Sequence, residues 1–156
     1  HARCAWLSVI RTSPVQLPRW QKRSLYAFFA LLWLTGLLFW WAKSQWQVMG
    51  DFGLQDSPWQ ARALLWHGVL VTPTLMLIGS LLPLHWQLGW RRKIGRSAGV
   101  SLLVFMAAVV ITGVMLWYAS APAWRELAGQ VHWWFGLALP AAVAGHIAWA
   151  RRSLRS

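Results

Sequence analysis

Four histidines stand inside the apolar stretches of this sequence, and their spacing can do chemistry. His132 and His146 lie fourteen residues apart within the run 128–150. At about 100° per residue both rings leave one helix face, ~21 Å apart along the axis. His67 and His85 lie eighteen residues apart, which is five whole turns, so they also share a face. Ionisable groups in a membrane-length apolar segment indicate a functional site by default.

A helix with two histidines on one face can hold two redox cofactors, one near each side of a bilayer. Neutral imidazole is a common axial ligand of haem iron, and two imidazoles on one iron leave no open position for a gas. The pattern therefore favours electron transfer through haem. A single histidine could instead hydrogen-bond a neighbouring helix. A metal transporter would usually need carboxylates among the histidines, and the apolar runs contain none.

The composition is that of an integral membrane protein. Of the 156 residues, 58% are hydrophobic and only 12% are charged, against about 25% charged in a soluble domain. Many of the 15 tryptophans lie near the ends of apolar runs, where interfacial aromatic belts lie. The basic residues that give the net charge of +12 flank these apolar runs. They do not form a cluster large enough for a nucleic-acid-binding groove. The single cysteine, Cys4, excludes an internal disulfide and a C-x-x-C motif for covalent haem.

The predicted fold is all-α, an integral membrane four-helix bundle. A basic segment at 1–24 precedes a four-span haem-binding domain at 25–152, and a tail follows at 153–156. The spans are expected at about 25–42, 61–85, 97–119 and 128–150, each near the ~20 residues that a bilayer requires. Pro73 and Pro83 predict a kink or local unwinding in the second span. Polar or basic connections are expected at 44–60, 86–96 and 120–127, and no convincing internal repeat is predicted.

The distribution of charge predicts the orientation. Twelve of the 15 Lys and Arg residues lie in the N-terminal segment, the second connection and the C-terminal tail, and all three acidic residues lie on the other side. The positive-inside rule therefore predicts that both termini are cytoplasmic. In that orientation His67 pairs in depth with His132 near the outer surface, and His85 pairs with His146 towards the cytoplasm.

The second of these pairs fits less well along the axis. Straight helix covers ~27 Å over eighteen residues and ~21 Å over fourteen. Tilt or the two prolines must absorb the difference, or else His85 is not a ligand. Glycines in all four spans could let a flat macrocycle approach the backbone, and arginines at both ends could pair with haem propionates. The glycines are Gly36, Gly68, Gly79, Gly113, Gly136 and Gly145; the arginines are Arg62, Arg91, Arg92, Arg96 and Arg125.

Several short strings resemble a known family. They are WHG at 66–68, LHWQLGWRRKIGRSAG at 84–99, TGVMLWY at 112–118, HWWFG at 132–136 and GHIAW at 145–149. Together with the four spans, they resemble the bacterial b-type cytochrome superfamily of the cytochrome b561 and hydrogenase or formate dehydrogenase cytochrome b kind. The resemblance implies haem b, two molecules or one, with His67 paired to His132 and His85 to His146 as axial ligands.

The resemblance also implies a function. Such subunits carry electrons between quinone or quinol and a partner redox protein, here a periplasmic cytochrome, an iron–sulfur subunit or a dehydrogenase subunit. The expected location is the bacterial inner membrane, with lipid as the surrounding partner and no nucleic acid. Independent substrate chemistry is not expected, because the sequence has no flavin, nicotinamide or iron–sulfur motif. The alternatives are a haem-free membrane anchor or assembly subunit and, less favoured, a small transporter.

Overall fold

The protein is described here by a computed structural model, which covers the backbone of residues 18–92 and 96–153 and the side chains of 18–83 and 96–152. Four helices follow one another: α1 (Arg19–Gln45), α2 (Pro58–Arg92), α3 (Arg96–Tyr118) and α4 (Pro122–Ser153). Each contains a segment long and apolar enough to cross a membrane. The prediction of an all-α, four-helix membrane bundle is confirmed. The N-terminal segment through residue 17 and the last three residues lie outside the described part.

The first connection is more ordered than the polar loop predicted for 44–60. Strands β1 (Gln47–Gly50) and β2 (Gly53–Asp56) form an antiparallel hairpin between α1 and α2. Gly50 pairs with Gly53 on either side of a two-residue turn. Gly53 has a φ of 104°, which L side chains rarely adopt, so the turn depends on glycine at this position. The sequence carries this signal as G-D-F-G, with a glycine at each end of the turn.

The helices extend further than the predicted spans. Helix α2 begins at Pro58 rather than near residue 61, because Ser57 caps it: its hydroxyl accepts a hydrogen bond from the amide of Trp59 at 3.3 Å. Proline is favoured at the first helical position, since its missing N–H would lack a partner there anyway. At the other end α2 continues to Arg92, so most of the connection predicted at 86–96 is helical.

Two other predictions about chain breaks differ from the structure in part. Helix α2 runs continuously through Pro73 and Pro83, so the predicted local unwinding is wrong, whereas the alternative of a kink at these prolines stays a prediction. The loop predicted at 120–127 is shorter, because α4 already begins at Pro122, again with proline at the first helical position. The apolar runs of the sequence predict which part of each helix crosses the membrane. They do not predict how far the helix continues beyond that part.

The four helices pack as two pairs. Helix α1 lies along α2 and helix α3 lies along α4, whereas contacts between the pairs are few. Only three hydrophobic side chains in the described part are buried, and all are alanines: Ala42, Ala63 and Ala128. They lie towards the ends of α1, α2 and α4 nearest the hairpin. The large apolar side chains instead point outwards, as expected of helices surrounded by lipid.

Candidate cofactor site

His67 reaches across the first helix pair to the backbone of α1. Its Nδ1 lies 3.0 Å from the carbonyl oxygen of Leu32 and 3.1 Å from the hydroxyl of Thr35. A carbonyl oxygen can only accept a hydrogen bond, so Nδ1 must carry the proton. The neutral ring then keeps its lone pair on Nε2, which is the atom that a metal would bind.

His132 makes the same contacts across the second helix pair. Its Nδ1 lies 3.0 Å from the carbonyl oxygen of Val109 and 3.2 Å from the hydroxyl of Thr112. The same reasoning places the proton on Nδ1 and the lone pair on Nε2. Both histidines are half-buried. The two rings are therefore held in one tautomer by equivalent partners on different helices.

On the neighbouring helix, a threonine followed by a glycine surrounds each histidine ring together with the accepting carbonyl. We call this group of three residues a cradle. In α1 the carbonyl of Leu32 lies beneath Thr35 and Gly36, three and four residues further along the helix. The Thr35 hydroxyl donates its own proton to the Leu31 carbonyl at 2.8 Å, so its lone pairs face the histidine. A Cβ at Gly36 would lie 3.4 Å from Cε1 of His67. Glycine thus lets the imidazole approach the carbonyl closely.

Helix α3 repeats this arrangement in detail. The Thr112 hydroxyl donates to the Ala108 carbonyl at 2.7 Å, and a Cβ at Gly113 would lie 3.3 Å from Cε1 of His132. The strings LWLTG at 32–36 and VVITG at 109–113 place an apolar residue, a threonine and a glycine in the same positions. The two helix pairs therefore contain a local repeat, which the sequence prediction of no repeat missed.

The two cradles bring the histidines together at the junction of the helix pairs. The ring centroids of His67 and His132 lie 6.2 Å apart, with an angle of 79° between the ring planes. A metal–imidazole bond is about 2 Å long and the ring centroid lies about 1 Å behind Nε2, so two imidazoles opposite each other on one metal have centroids about 6 Å apart. The observed separation fits two axial ligands of one iron.

The donor set fits haem better than a bare metal ion. Among the described residues, no group of three or more His, Cys, Asp or Glu side chains could hold a metal. Two imidazoles alone are too few for a protein-only zinc or iron site, which needs three or four ligands. Haem brings its own equatorial nitrogens and requires only the axial pair from the protein. Two backbone-anchored histidines are the protein contribution that such a group needs.

Aromatic stacking fixes the distance between the helix pairs beside the histidines. Trp133, which directly follows His132, stacks on Trp40 of α1 with centroids 5.0 Å apart and planes at 17°. Trp40 lies one turn beyond Gly36, on the same face of α1. Phe105 of α3 stacks on Phe135 of α4 with centroids 4.5 Å apart. The first stack is a direct contact between the pairs, and the second holds α3 against α4.

His146 lies further along α4, beside α3. A Cβ at Gly99 would lie 3.9 Å from its Cε1, and the ring borders a cleft of about 210 Å³. The other lining residues are Ala98, Ser101, Leu102, Phe105 and Ala142. The backbone of His85 belongs to α2, but its side chain lies outside the described residues, so the predicted pairing of His85 with His146 stays a prediction.

The predicted propionate partners have mixed outcomes. The guanidinium of Arg62 lies over the ring of Trp59, 5.1 Å from its centroid, at the hairpin end of α2. Arg125 lies in the exposed first turn of α4, which begins at Pro122. The side chains of Arg91 and Arg92 lie outside the described residues. A propionate-binding role for Arg62, Arg125 or Arg96 therefore stays a prediction.

Sequence reasoning singled out the histidines and the two glycines but missed Thr35 and Thr112. Both threonines lie in apolar helices. A threonine there commonly donates its hydroxyl hydrogen bond to a carbonyl of its own helix, so it does not by itself indicate a functional site. The signal that could have found them is the recurrence of the Thr–Gly dipeptide one helix before each histidine. The accepting carbonyls of Leu32 and Val109 have no side-chain signature at all.

Comparison with known proteins adds one match. The model of the family described as prokaryotic cytochrome b561 matches residues 79–153, just under half of the chain. The matched segment contains the end of α2 and all of α3 and α4. It therefore includes His85, His132 and His146. No curated protein and no solved structure matches the chain. The family match confirms the resemblance to bacterial b-type cytochromes that the sequence strings predicted.

Proposed function

We propose that this chain, which matches the prokaryotic cytochrome b561 family over residues 79–153, is a b-type membrane cytochrome subunit that transfers electrons between quinone or quinol and a partner redox protein. Its core is one haem b held by His67 and His132. The observation that supports this most strongly is the pair itself: two rings of the same tautomer, from two helix pairs, with centroids 6.2 Å apart.

A second haem is proposed between His146 and His85. The support is the position of His146 fourteen residues after His132 on one helix face. His146 also lines an apolar cleft together with Phe105 and small residues of α3 and α4. Two haems at different depths would divide the width of the bilayer into shorter electron-transfer steps.

The residues of the chain bind and orient the two histidines. Leu32 and Val109 hold the Nδ1 protons of the two histidines through their carbonyl oxygens at 3.0 Å, which fixes the ring orientation and leaves Nε2 as the ligand atom. Haem b, when bound between them, supplies a one-electron redox couple. The Trp40–Trp133 stack joins α1 to α4 next to His132.

The membrane setting supports the choice of quinone. All four helices expose apolar side chains along their lengths, so a lipid-soluble carrier can reach the bundle laterally. The asymmetry of positive charge supports cytoplasmic termini in a bacterial inner membrane. The hairpin then lies on the outer side, where Met49, Phe52 and Leu54 are exposed and offer a contact surface for a partner such as a periplasmic cytochrome, iron–sulfur or dehydrogenase subunit.

Quinol reduction of the purified protein tests this proposal. The wild-type chain, purified into lipid nanodiscs, is mixed without oxygen with a soluble quinol, and the reduced b-type absorption band is followed. We expect reduction of the full b-type band in the wild type, and the loss from that band of the share due to the His67–His132 haem in His67→Ala and His132→Ala. Met76→Ala serves as a control, because this side chain of α2 is 70% exposed and faces lipid.

The alternative of a haem-free anchor gives the opposite result. A folded wild-type preparation without a b-type spectrum would overturn the proposal. Unchanged spectra in both histidine variants would show that haem binds elsewhere. A wild type that binds haem but is not reduced by quinol would keep the cofactor and remove quinone as the electron carrier.

A further inference from the structure

The described structure contains two hydroxyl groups placed alike against the two candidate ligands. Thr35 Oγ1 lies 3.1 Å from Nδ1 of His67, and Thr112 Oγ1 lies 3.2 Å from Nδ1 of His132. Thr112 is 8% exposed. In both cases the hydroxyl proton is donated to the carbonyl four residues earlier, at 2.8 and 2.7 Å. Each oxygen can therefore only accept from the imidazole N–H.

We infer that Thr35 and Thr112 are matched positioning residues that set the electron-donating strength of the two axial histidines, an inference that rests on the proposed function. Each Nδ1–H is shared between a backbone carbonyl and a threonine hydroxyl. Two acceptors draw the proton away from the ring more strongly than one, which increases the basicity of Nε2. A more basic ligand stabilises ferric over ferrous iron and lowers the reduction potential.

The local repeat should give the two threonines equal effects on the reduction potential. Both imidazoles donate their Nδ1–H to the same two kinds of acceptor at nearly equal distances. These hydrogen bonds therefore give the two Nε2 atoms the same electron-donating strength. Removing one threonine hydroxyl should shift the potential by the same amount and in the same direction as removing the other. A merely structural role predicts no such equality, because Thr35 and Thr112 stand on different helices in different packing environments.

The chain supplies a matched control. Thr74 of α2 is 3% exposed and donates to the Leu70 carbonyl at 2.7 Å, so it makes the same bond to its own helix as Thr35 and Thr112. It has no hydrogen bond to a histidine among the described residues. Thr74→Val therefore reproduces the loss of a backbone-bonded hydroxyl without changing the hydrogen bonds of either ligand.

The experiment compares midpoint potentials of purified wild type, Thr35→Val, Thr112→Val, the double variant and Thr74→Val by redox titration of the b-type band. Each single Val variant should favour the reduced form about threefold more than wild type, a rise of about 28 mV, and the double variant about tenfold, a rise of about 59 mV for one electron. Thr35→Ser and Thr112→Ser, which keep the oxygen, should stay near the wild-type potential, as should Thr74→Val.

A second readout needs no haem. In the haem-free protein, ¹⁵N NMR of the histidine side chains should show the Nδ1–H tautomer at His67 and His132. In each Val variant the Nδ1–H resonance of the affected histidine should shift, because that N–H then has one acceptor instead of two. Thr→Ala at either position replaces a Val variant that does not fold. Unchanged potentials and unchanged Nδ1–H resonances would overturn the inference. A wild type that never binds haem, together with shifted resonances in the Val variants, would refute the proposed function and leave the threonines as residues that position the two imidazoles.

Discussion

At the scale of single residues, the chemistry of the site depends on which nitrogen of each imidazole carries the proton. The carbonyls of Leu32 and Val109 decide this, because a carbonyl oxygen 3.0 Å from Nδ1 is compatible only with an N–H there. Histidines facing the bundle interior without such partners could present either nitrogen. The backbone of α1 and α3 thus fixes both His67 and His132 in the tautomer whose Nε2 lone pair is free, which is the form that the proposed role as metal ligands requires.

The angle between the two rings predicts a spectroscopic property. The planes of His67 and His132 are 79° apart, and two imidazoles that kept this angle on one ferric iron would leave its lower d orbitals close in energy. We expect a low-spin EPR signal with strong anisotropy from a haem held by these two residues. A rhombic signal of modest anisotropy, typical of parallel imidazole planes, would contradict the observed ring geometry.

Glycine at 113 should be necessary for ligand placement. A Cβ at Gly113 would lie 3.3 Å from Cε1 of His132, closer than ordinary contacts, so Gly113→Leu should displace the ring from the Val109 carbonyl. We expect haem content, measured by pyridine haemochrome, to fall several-fold. Val114→Leu is the control, because this neighbouring side chain of the same helix is 53% exposed. Equal haem content in the two variants would contradict this role.

At the scale of helices and strands, the features that could be predicted from the sequence are those that depend on hydrophobic composition and on residue spacing along one helix. Four apolar runs predicted four helices, and the spacing of His132 and His146 predicted their shared face. The hairpin at Gln47–Asp56 was missed because its strands are short and lack the alternation of a half-buried sheet. The threonine cradles were missed because they depend on which helices become neighbours, and that is a tertiary property.

The stack between helices α1 and α4 should control how tightly haem is held. Trp133→Ala removes the partner of Trp40, and an aromatic pair contributes about 0.5–1.5 kcal/mol beyond its buried area. We expect faster transfer of haem to apomyoglobin from Trp133→Ala than from wild type. Trp134→Ala is the matched control, since the neighbouring ring is 61% exposed. Similar transfer rates in the two variants would show that the stack does not stabilise the site.

At the scale of the whole molecule, the few contacts between the helix pairs are the feature most relevant to function. Helices α1 and α2 form one unit and α3 and α4 the other, and each unit contributes one histidine from its own cradle. A cofactor held by both histidines would therefore join the two units. Such a cofactor would couple assembly of the bundle to its own binding.

The proposed orientation in the membrane can be tested with the only cysteine in the sequence and one introduced cysteine. Phe52, at the hairpin tip, is 96% exposed, so Phe52→Cys in a Cys4→Ser background should react with a membrane-impermeant maleimide in cells whose outer membrane has been permeabilised. Cys4 in the native chain should react only after the inner membrane is broken. The reverse pattern would place both termini outside and contradict the distribution of positive charge.

The proposal that His67 and His132 hold one haem b between the helix pairs is tested by haem content. The measurement is the haem-to-protein ratio, by pyridine haemochrome, of wild type, His67→Ala and His132→Ala. We expect two b haems in the wild type and the loss of one in each variant, to the same value. One haem in the wild type, lost in both variants, would keep the pair and remove the site at His85 and His146. Full haem content in either variant would contradict the claim.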